Sequence, residues 1–436
     1  MPFLLDVLYL LVLLLLSPWL MYKAFTTGKY RRGLAAKFFG PRPALRDPAQ
    51  TRVWFHGVSV GEIHLLRPVL AAFRKRYPHV TCVLSTTTDT GFDEARKAFP
   101  DLEVFWFPLD FSWSVSRALR TLDATLMVLA EGELWPNLLL AARRRGLPVA
   151  VINARLSPRS ARRYHRLAWL ARPLVRSLAR VGAQTDEYAR AFRELGLEPV
   201  RVPTTGNVKF DGVVGDRNNP KTRDLRALFR IAEQERVWVA GSTQAPEEEI
   251  VLDIFRRLRR DYPALRLIVV PRQKDRFDEV AGLLEHSGEP FVRRTQLPGG
   301  SGDRVPPIIL VDTIGELGAV WGLADVAFVG GSLDGKRGGQ NMIEPAAYGA
   351  AVVFGPHVWN FRDTAQRLVE SGAARQIVDG GTLEAIVRDL LGSATERERL
   401  GAAARAFVAS QQGATERTVT MLGEILRERQ AYPRAA

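Results

Sequence analysis

HGVSVGE, residues 56–62, sets a glutamate where the apolar run Val53-Trp54-Phe55 passes through small residues into the helix-like pattern IHLLRPVLAAFRK. In a ligand-binding α/β fold the mouth of a cleft lies at such a strand end. Backbone or a small residue usually faces the ligand there. A carboxylate at that point, Glu62, is placed to accept a proton. Other polar residues also stand just beyond apolar runs: Ser59, Glu131 and Glu133 in AEGELWPN, and Asn153-Ala154-Arg155. Lys209, in TTGNVKFD (204–211), falls where two halves of the chain should meet. An exposed lysine or glutamate is ordinarily solvated surface. Glu62 and Glu131 stand out because each directly follows a predicted buried strand.

The second half offers a different chemistry. DVAFVGGSLDGKRGGQNMIEPAAYGAAVVFGP reads as strand, glycine-rich loop, helix and strand. Gly330, Gly331, Gly338 and Gly339 let a backbone approach a ligand closely. A helix starting near Asn341-Met342-Ile343-Glu344 would offer unpaired N–H groups to an anion such as a nucleotide phosphate. Glu344 could accept hydrogen bonds from a ribose. Two further strand ends should face the same crevice, Pro271-Arg272 after RLIVV and Ile314-Gly315-Glu316 after IILVDT. An arginine at a strand end is a natural phosphate fork.

Several chemistries lack their signatures. The chain has no GxxxxGK[ST] loop, no G-x-G-x-x-G after its first strand and no Asp-x-Asp pair. Its six histidines are scattered without metal-ligand spacing, and one cysteine, Cys82, excludes an internal disulfide and a cysteine-based zinc site. The expectation is a reaction without metal or cofactor.

These residues must be positioned by the elements around them. At 436 residues the chain is long enough for two domains, each with its own core. The runs RVWFHG, VTCVLST, EVFWFP, TLMVLAE, PVAVIN and RVGAQT alternate with helical patterns, and after GDRNNPKT (215–222) the alternation resumes with RVWVAGS, RLIVVPR, IILVD, DVAFVGG and AVVFGP. Strands alternating with helices predict α/β domains with doubly wound parallel sheets. The closing stretch ERTVTMLGEILRERQ reads as an amphipathic helix.

The N-terminal FLLDVLYLLVLLLLSPWLMY carries a single charge, Asp6, and is about 20 residues long, enough to cross a bilayer core. No basic residue precedes it, which argues against a cleaved signal. Lys23, Lys29, Arg31, Arg32 and Lys37 follow, so the positive-inside rule puts the body in the cytoplasm. Pro18 leaves a monotopic anchor open. The net charge of +14 suits an anionic membrane or a phosphorylated substrate. Nucleic acid is not expected, because the basic residues are spread through helices without an aromatic-interleaved strip.

Taken together, HGVSVGE, ELWPNL, NARLS, TGNVKFD, AGST, VPR, GELGAVWGLADVAFVGGSL, GGQNMIEPAAYG and GPHVWNF resemble the 3-deoxy-D-manno-octulosonic acid (Kdo) transferases of Gram-negative bacteria. The resemblance implies a GT-B glycosyltransferase, with two Rossmann-like domains facing a cleft and an N-terminal membrane-anchor helix. The expected boundaries are 1–45 for the anchor and connector, 46–210 for the acceptor domain and 211–436 for the nucleotide-sugar domain with the closing helix. It implies CMP-Kdo as donor, the phosphorylated lipid A precursor as acceptor, and a place on the cytoplasmic face of the inner membrane. Transfer would be inverting and metal-independent. By the same resemblance Glu62 is the proton acceptor, and Glu131 and Lys209 are transition-state stabilisers. Pro271, Arg272, Ile314, Gly315, Glu316, Asn341, Met342, Ile343 and Glu344 contact the CMP moiety. The chain departs from the family pattern at Gln244, Gln273 and Gln340, where histidine is usual, and at Gly132, where threonine is usual. Two other readings stay open: a GT-B transferase with another nucleotide-sugar donor and a lipid acceptor, or a catalytically inactive, membrane-tethered lipid-binding homologue.

Overall fold

The apolar runs become parallel strands because both of their faces are buried. In the computed structural model, which describes residues 2–27, 31–41, 50–132, 134–156, 158–299 and 305–431, the chain forms two compact units, Met1–Asp211 with Gln412–Ala436, and Gly212–Gln411. Glu133, Lys29 and connector residues 42–48 lie outside the described residues.

The first unit holds β1 (Arg52–His56), β2 (Thr81–Thr86), β3 (Glu103–Trp106), β4 (Leu126–Ala130), β5 (Val149–Ala154) and β6 (Arg180–Ala183) in the order β3-β2-β1-β4-β5-β6. All pairs are parallel. Alternate residues serve opposite faces. Trp54, Met127, Leu129 and Val151 enter one core, whereas Val53, Phe55, Val128 and Ile152 enter the other. Chain order reverses between β1 and β4, so their C-terminal ends frame the crevice where such sheets bind ligands.

The last helix, Ala414–Ala431, belongs to the first unit and not, as expected, to the second. Its Val419, Met421, Leu422, Ile425 and Leu426 are buried in the core beneath the helix Val60–Arg76, and Arg76 pairs with Glu416. Asp211 accepts from the Gly413 N–H at 2.7 Å. Amphipathy showed that this helix would pack; it carried no information on which sheet would receive it. Nor is GDRNNPKT a free linker. Asn219 caps the helix Pro220–Leu228 by accepting from Thr222 N at 3.1 Å, and Arg217 donates to Tyr348 O at 2.9 Å within the second unit.

That unit holds β7 (Arg236–Thr243), β8 (Leu265–Pro271), β9 (Phe291–Arg293), β10 (Ile308–Leu310), β11 (Val326–Val329), β12 (Ala351–Phe354) and β13 (Ala374–Gln376), in the order β13-β12-β11-β7-β8-β10-β9. Here the order reverses between β7 and β11. At that point Glu247, 0% exposed, sits in the first turn of the helix Glu247–Asp261. Its carboxylate accepts from the backbone N–H groups of Gln244 (3.0 Å), Gly331 (2.7 Å), Ser332 (2.9 Å) and Leu333 (3.0 Å). Burial pushes its carboxyl above the usual range, and the four donors pull the other way.

Glu247→Ala would leave those buried donors without an acceptor. The expected loss of unfolding free energy is on the order of 3–5 kcal/mol. Glu247→Gln should also destabilise, because an NH2 group replaces one oxygen that accepts two bonds. Urea titration of the detergent-solubilised protein measures both, and a loss below about 1 kcal/mol for alanine would contradict this account.

Candidate active site

In the first unit the turn after β1 is held from several sides. Gly57 N donates to Ser85 O at 3.1 Å, and the Thr86 and Thr88 hydroxyls both donate to Val58 O at 3.1 Å. The helix Val60–Arg76 then begins with Ser59 as its N-cap, and Glu62 lies in its first turn. Glu62 folds back so that Oε2 accepts from Val58 N at 2.8 Å, with the Ser59 hydroxyl 3.4 Å from Oε1. This is close to a capping box, one residue further back. A Cβ at position 57 would come within 3.2 Å of the Glu62 Cβ, so a side chain there would push on the helix start by a few tenths of an ångström. The carboxylate is partly exposed at the end of β1.

Beside it, β4 runs parallel to β1 and ends at Ala130, so Glu131 opens from the neighbouring strand. Glu131 N donates to Ile152 O at 3.0 Å, and Glu131 (φ 59°) and Asn153 (φ 51°) both adopt the left-handed region. Such strain persists only where surrounding contacts enforce it. Here Asn153, fully buried, does the enforcing. Its Oδ1 accepts from Val208 N at 3.0 Å, its Nδ2 lies 3.4 Å from Glu131 Oε1, and its carbonyl accepts from Gln184 Nε2 at 2.9 Å. The short turn Val208–Phe210 is thereby fixed, and Lys209 Nζ reaches Glu131 Oε1 at 2.9 Å. Glu131 and Lys209 are thus brought together as an ion pair, and chain topology sets Glu62 on the adjoining strand end. Gly132, with φ 104°, stands where an L side chain would be strained.

His56, at the end of β1, is entirely buried and stacks on Phe107 with ring centroids 3.7 Å apart. Burial pushes its imidazole down to about 3, against a hydrogen bond to Ser85, so it is neutral at physiological pH. It serves the packing of the strand end and is no proton carrier.

In the second unit the three expected strand ends do approach one another. Arg272, exposed after β8, donates from Nε to Gln340 Oε1 at 3.1 Å. Asn341 Nδ2 donates to Glu344 Oε1 at 2.8 Å, and a Cβ on Gly318 would lie 3.8 Å from Glu344 Oε2, which brings in the short helix Leu317–Val320 that follows Glu316. Burial pushes the Glu344 carboxyl up, while Asn341 and the charge of Arg272 pull it down. Glu316 is forked by Arg294 at 2.7–3.2 Å and bonded by the Thr313 hydroxyl. Beside it Ile314 is 69% exposed and Gly315 has φ 91°.

Two expectations change here. The Gly331 N–H is consumed by Glu247 and does not face a ligand. The helix expected to meet a phosphate spans only Ile343–Ala347, and its first N–H is taken by Asn341 Oδ1 at 3.1 Å, so its dipole is small. Met342 and Ile343 are buried at 0% and 1% exposure, backbone included, so neither presents surface to a ligand here. Among the described residues no cluster of histidine, cysteine and carboxylates could hold a metal. Sequence reasoning named Asn153 without its role as the hub between Glu131 and Lys209, and missed Glu247. The signal for both is position, an amide in the last residues of a buried strand and a carboxylate opening the helix that follows one.

The comparisons with known proteins agree with one another. Residues 29–212 match the family model for 3-deoxy-D-manno-octulosonic-acid transferase (kdotransferase). The 3-deoxy-D-manno-octulosonic acid transferase of Haemophilus influenzae is 35% identical over 399 residues, 90% of this chain and 91% of that protein. The protein of the same name from Bordetella pertussis is 34% identical over 423 residues, 94% of this chain and 95% of that one. Among solved structures, the UDP-GlcNAc 2-epimerase of Neisseria meningitidis covers 86% of this chain and 100% of its own at a TM-score of 0.58 and 12% identity, a likeness of fold. Two parallel Rossmann-like sheets of GT-B type, the ordered motifs and near full-length identity to these relatives lead to one statement: the chain belongs to the Kdo transferase family of glycosyltransferases.

Proposed function

We propose that this enzyme moves Kdo from CMP-Kdo to a hydroxyl of the phosphorylated, acylated glucosamine disaccharide of the lipid A precursor. It works on the cytoplasmic face of the inner membrane, with inversion and without a metal ion. The observation that carries the reading is Glu62, a partly exposed carboxylate held at the end of β1 beside β4. In this mechanism Glu62 takes the proton from the acceptor hydroxyl as its oxygen bonds to C2 of Kdo. The bond from C2 to the phosphate oxygen breaks on the opposite face, and its electron pair leaves with CMP. Arg272 offsets the charge on the departing phosphate. The Pro271, Gly315, Asn341 and Glu344 positions hold the nucleotide.

Glu131 and Lys209 act together. C2 gains positive character as the phosphate leaves, which a carboxylate stabilises, and the Lys209 ammonium holds that carboxylate in place. The basic excess of the chain suits a phosphorylated acceptor in an anionic leaflet.

Mass spectrometry of a tetraacylated lipid A precursor after incubation with freshly made CMP-Kdo tests the function, with whole Kdo increments expected. Glu62→Gln should lower kcat by about 10²–10⁴-fold with the nucleotide still bound. Equal turnover by this variant would remove Glu62 as the base and leave the function standing. Release of UDP from a different donor would move the assignment to another GT-B transferase. Acceptor binding without turnover by the unaltered enzyme would point to an inactive homologue.

Glu131→Gln and Lys209→Met should each cost about 10²–10³-fold in kcat. Because they form one ion pair, the double variant should lose far less than the product of the two. Multiplying losses would show that they act separately. A chelator should leave the rate unchanged, and a rate restored only by a divalent cation would contradict the metal-free mechanism.

A further inference from the structure

The N-terminal helix Pro2–Thr27 is long and apolar enough to cross a membrane, and its stretch Phe3–Thr26 is almost wholly exposed. Its 26 residues make it roughly 39 Å long. Yet its first turns are fastened to the first unit. Asp6, the single acidic residue of the helix, is 4% exposed. Its Oδ1 accepts from Ser112 N at 2.8 Å and from Asn137 Nδ2 at 3.1 Å, and its Oδ2 accepts from the Ser112 hydroxyl. Ser112 opens the helix Ser112–Leu122, whose own N-cap residue supplies no side-chain bond, so Asp6 caps that helix from outside. One turn on, Tyr9 donates to Asp110 Oδ2 at 3.1 Å and meets the Phe111 ring edge-on at 6.0 Å. Asp110 in turn accepts from Asn137 N and Leu138 N at 3.0 and 2.8 Å, capping the helix Pro136–Arg144.

The chain leaving the helix returns to the same place. Arg32 forks Asp93 at 2.7 Å, and Lys37 Nζ stands 4.1 Å from the centre of the Trp106 ring. Lys37 O accepts from Leu109 N at 2.8 Å and from the Ser114 hydroxyl at 2.9 Å. Phe38 stacks on Phe111 with centroids 5.6 Å apart, against the ring that Tyr9 also touches. Only six peptide steps separate Thr27 from Gly33, which lies on Trp106. Fully extended, they reach about 20 Å, less than the roughly 30 Å of a bilayer core. A helix that crossed would have to bring the chain back through the hydrocarbon within that reach.

We propose that this helix lies within one leaflet of an anionic bilayer instead of crossing it, with the N-terminus on the same side as the catalytic body. Its occupant is lipid: the face turned away from Asp6 and Tyr9 presents Leu11, Leu14 and Leu15, at 53%, 70% and 79% exposure. The neighbouring Leu34, Phe39 and Trp113 extend the apolar surface, and the basic residues that follow the helix suit phospholipid headgroups. The proposal does not depend on which lipid is glycosylated.

The test is the sidedness of position 2. In the full chain carrying Cys82→Ala, a Pro2→Cys variant and a Gly212→Cys variant are expressed separately; Gly212 is exposed, with open space where a side chain would go. Inverted and right-side-out inner-membrane vesicles are treated with a membrane-impermeant maleimide. The expected result is that both positions label in the same vesicle preparation, and that the protein floats with phosphatidylglycerol vesicles at high salt. Labelling of position 2 in the opposite preparation, or only after detergent in both, would overturn the proposal. Asp6→Leu gives a second reading: loosening the tether should let position 2 label in both preparations. Unchanged sidedness together with unchanged protease resistance of the helix would show that Asp6 holds nothing.

Discussion

Both sheets depend on what meets the backbone donors left open at the C-terminal ends of parallel strands where the winding reverses. A parallel ladder satisfies N–H groups along its length, but the turns just beyond it have no partner strand. In each unit a glutamate from the first turn of the following helix folds back on those turns. Glu247 accepts four backbone N–H groups and is completely enclosed, so it closes the end of β7 and fixes the loop after β11. Glu62 accepts from Val58 N and lies beside the Ser59 hydroxyl, and it is only half-buried. The same device thus occurs at two depths, fully enclosed in the second unit and near the surface in the first.

Much of the fold was legible because it depends on burial. Every apolar run read from the sequence became a strand, since a parallel sheet covered on both faces demands consecutive apolar residues. β9 and β13 escaped notice because they are three-residue edge strands, Phe291–Arg293 and Ala374–Gln376, each with an arginine. The destination of the last helix was hidden for another reason. Its apolar stripe is complementary to either sheet in hydrophobicity, and only shape against Ile63, Phe73 and β1 selects one.

The site was legible where chemistry sits on a strand end and obscure where it depends on distant pairing. Glu62, Glu131 and Arg272 follow directly from the strand pattern. The bond between Lys209 and Glu131 joins residues 78 apart in the chain, and it exists because Asn153, on a third segment, holds both partners. No local spacing encodes such a contact. Motif position likewise pointed to Met342 and Ile343 without showing that their side chains belong to the core.

The glutamines that replace the family's usual histidines can be weighed by what they do. Gln340 offers Oε1 to Arg272 Nε, a bond that requires an acceptor at that position. A protonated imidazole there would present only donors and would repel the guanidinium; a neutral one could accept. Glutamine thus preserves the neutral form's role and removes the possibility of charging. Gln244 acts at its backbone, which donates to Glu247. Among the residues singled out by sequence, Arg272 is a cation of the second unit and Lys209 a cation of the first. Their partners differ in kind. Arg272 is bonded to the neutral amide of Gln340, with the Glu344 carboxyl close enough to feel its charge, whereas Lys209 is paired directly with the Glu131 carboxylate.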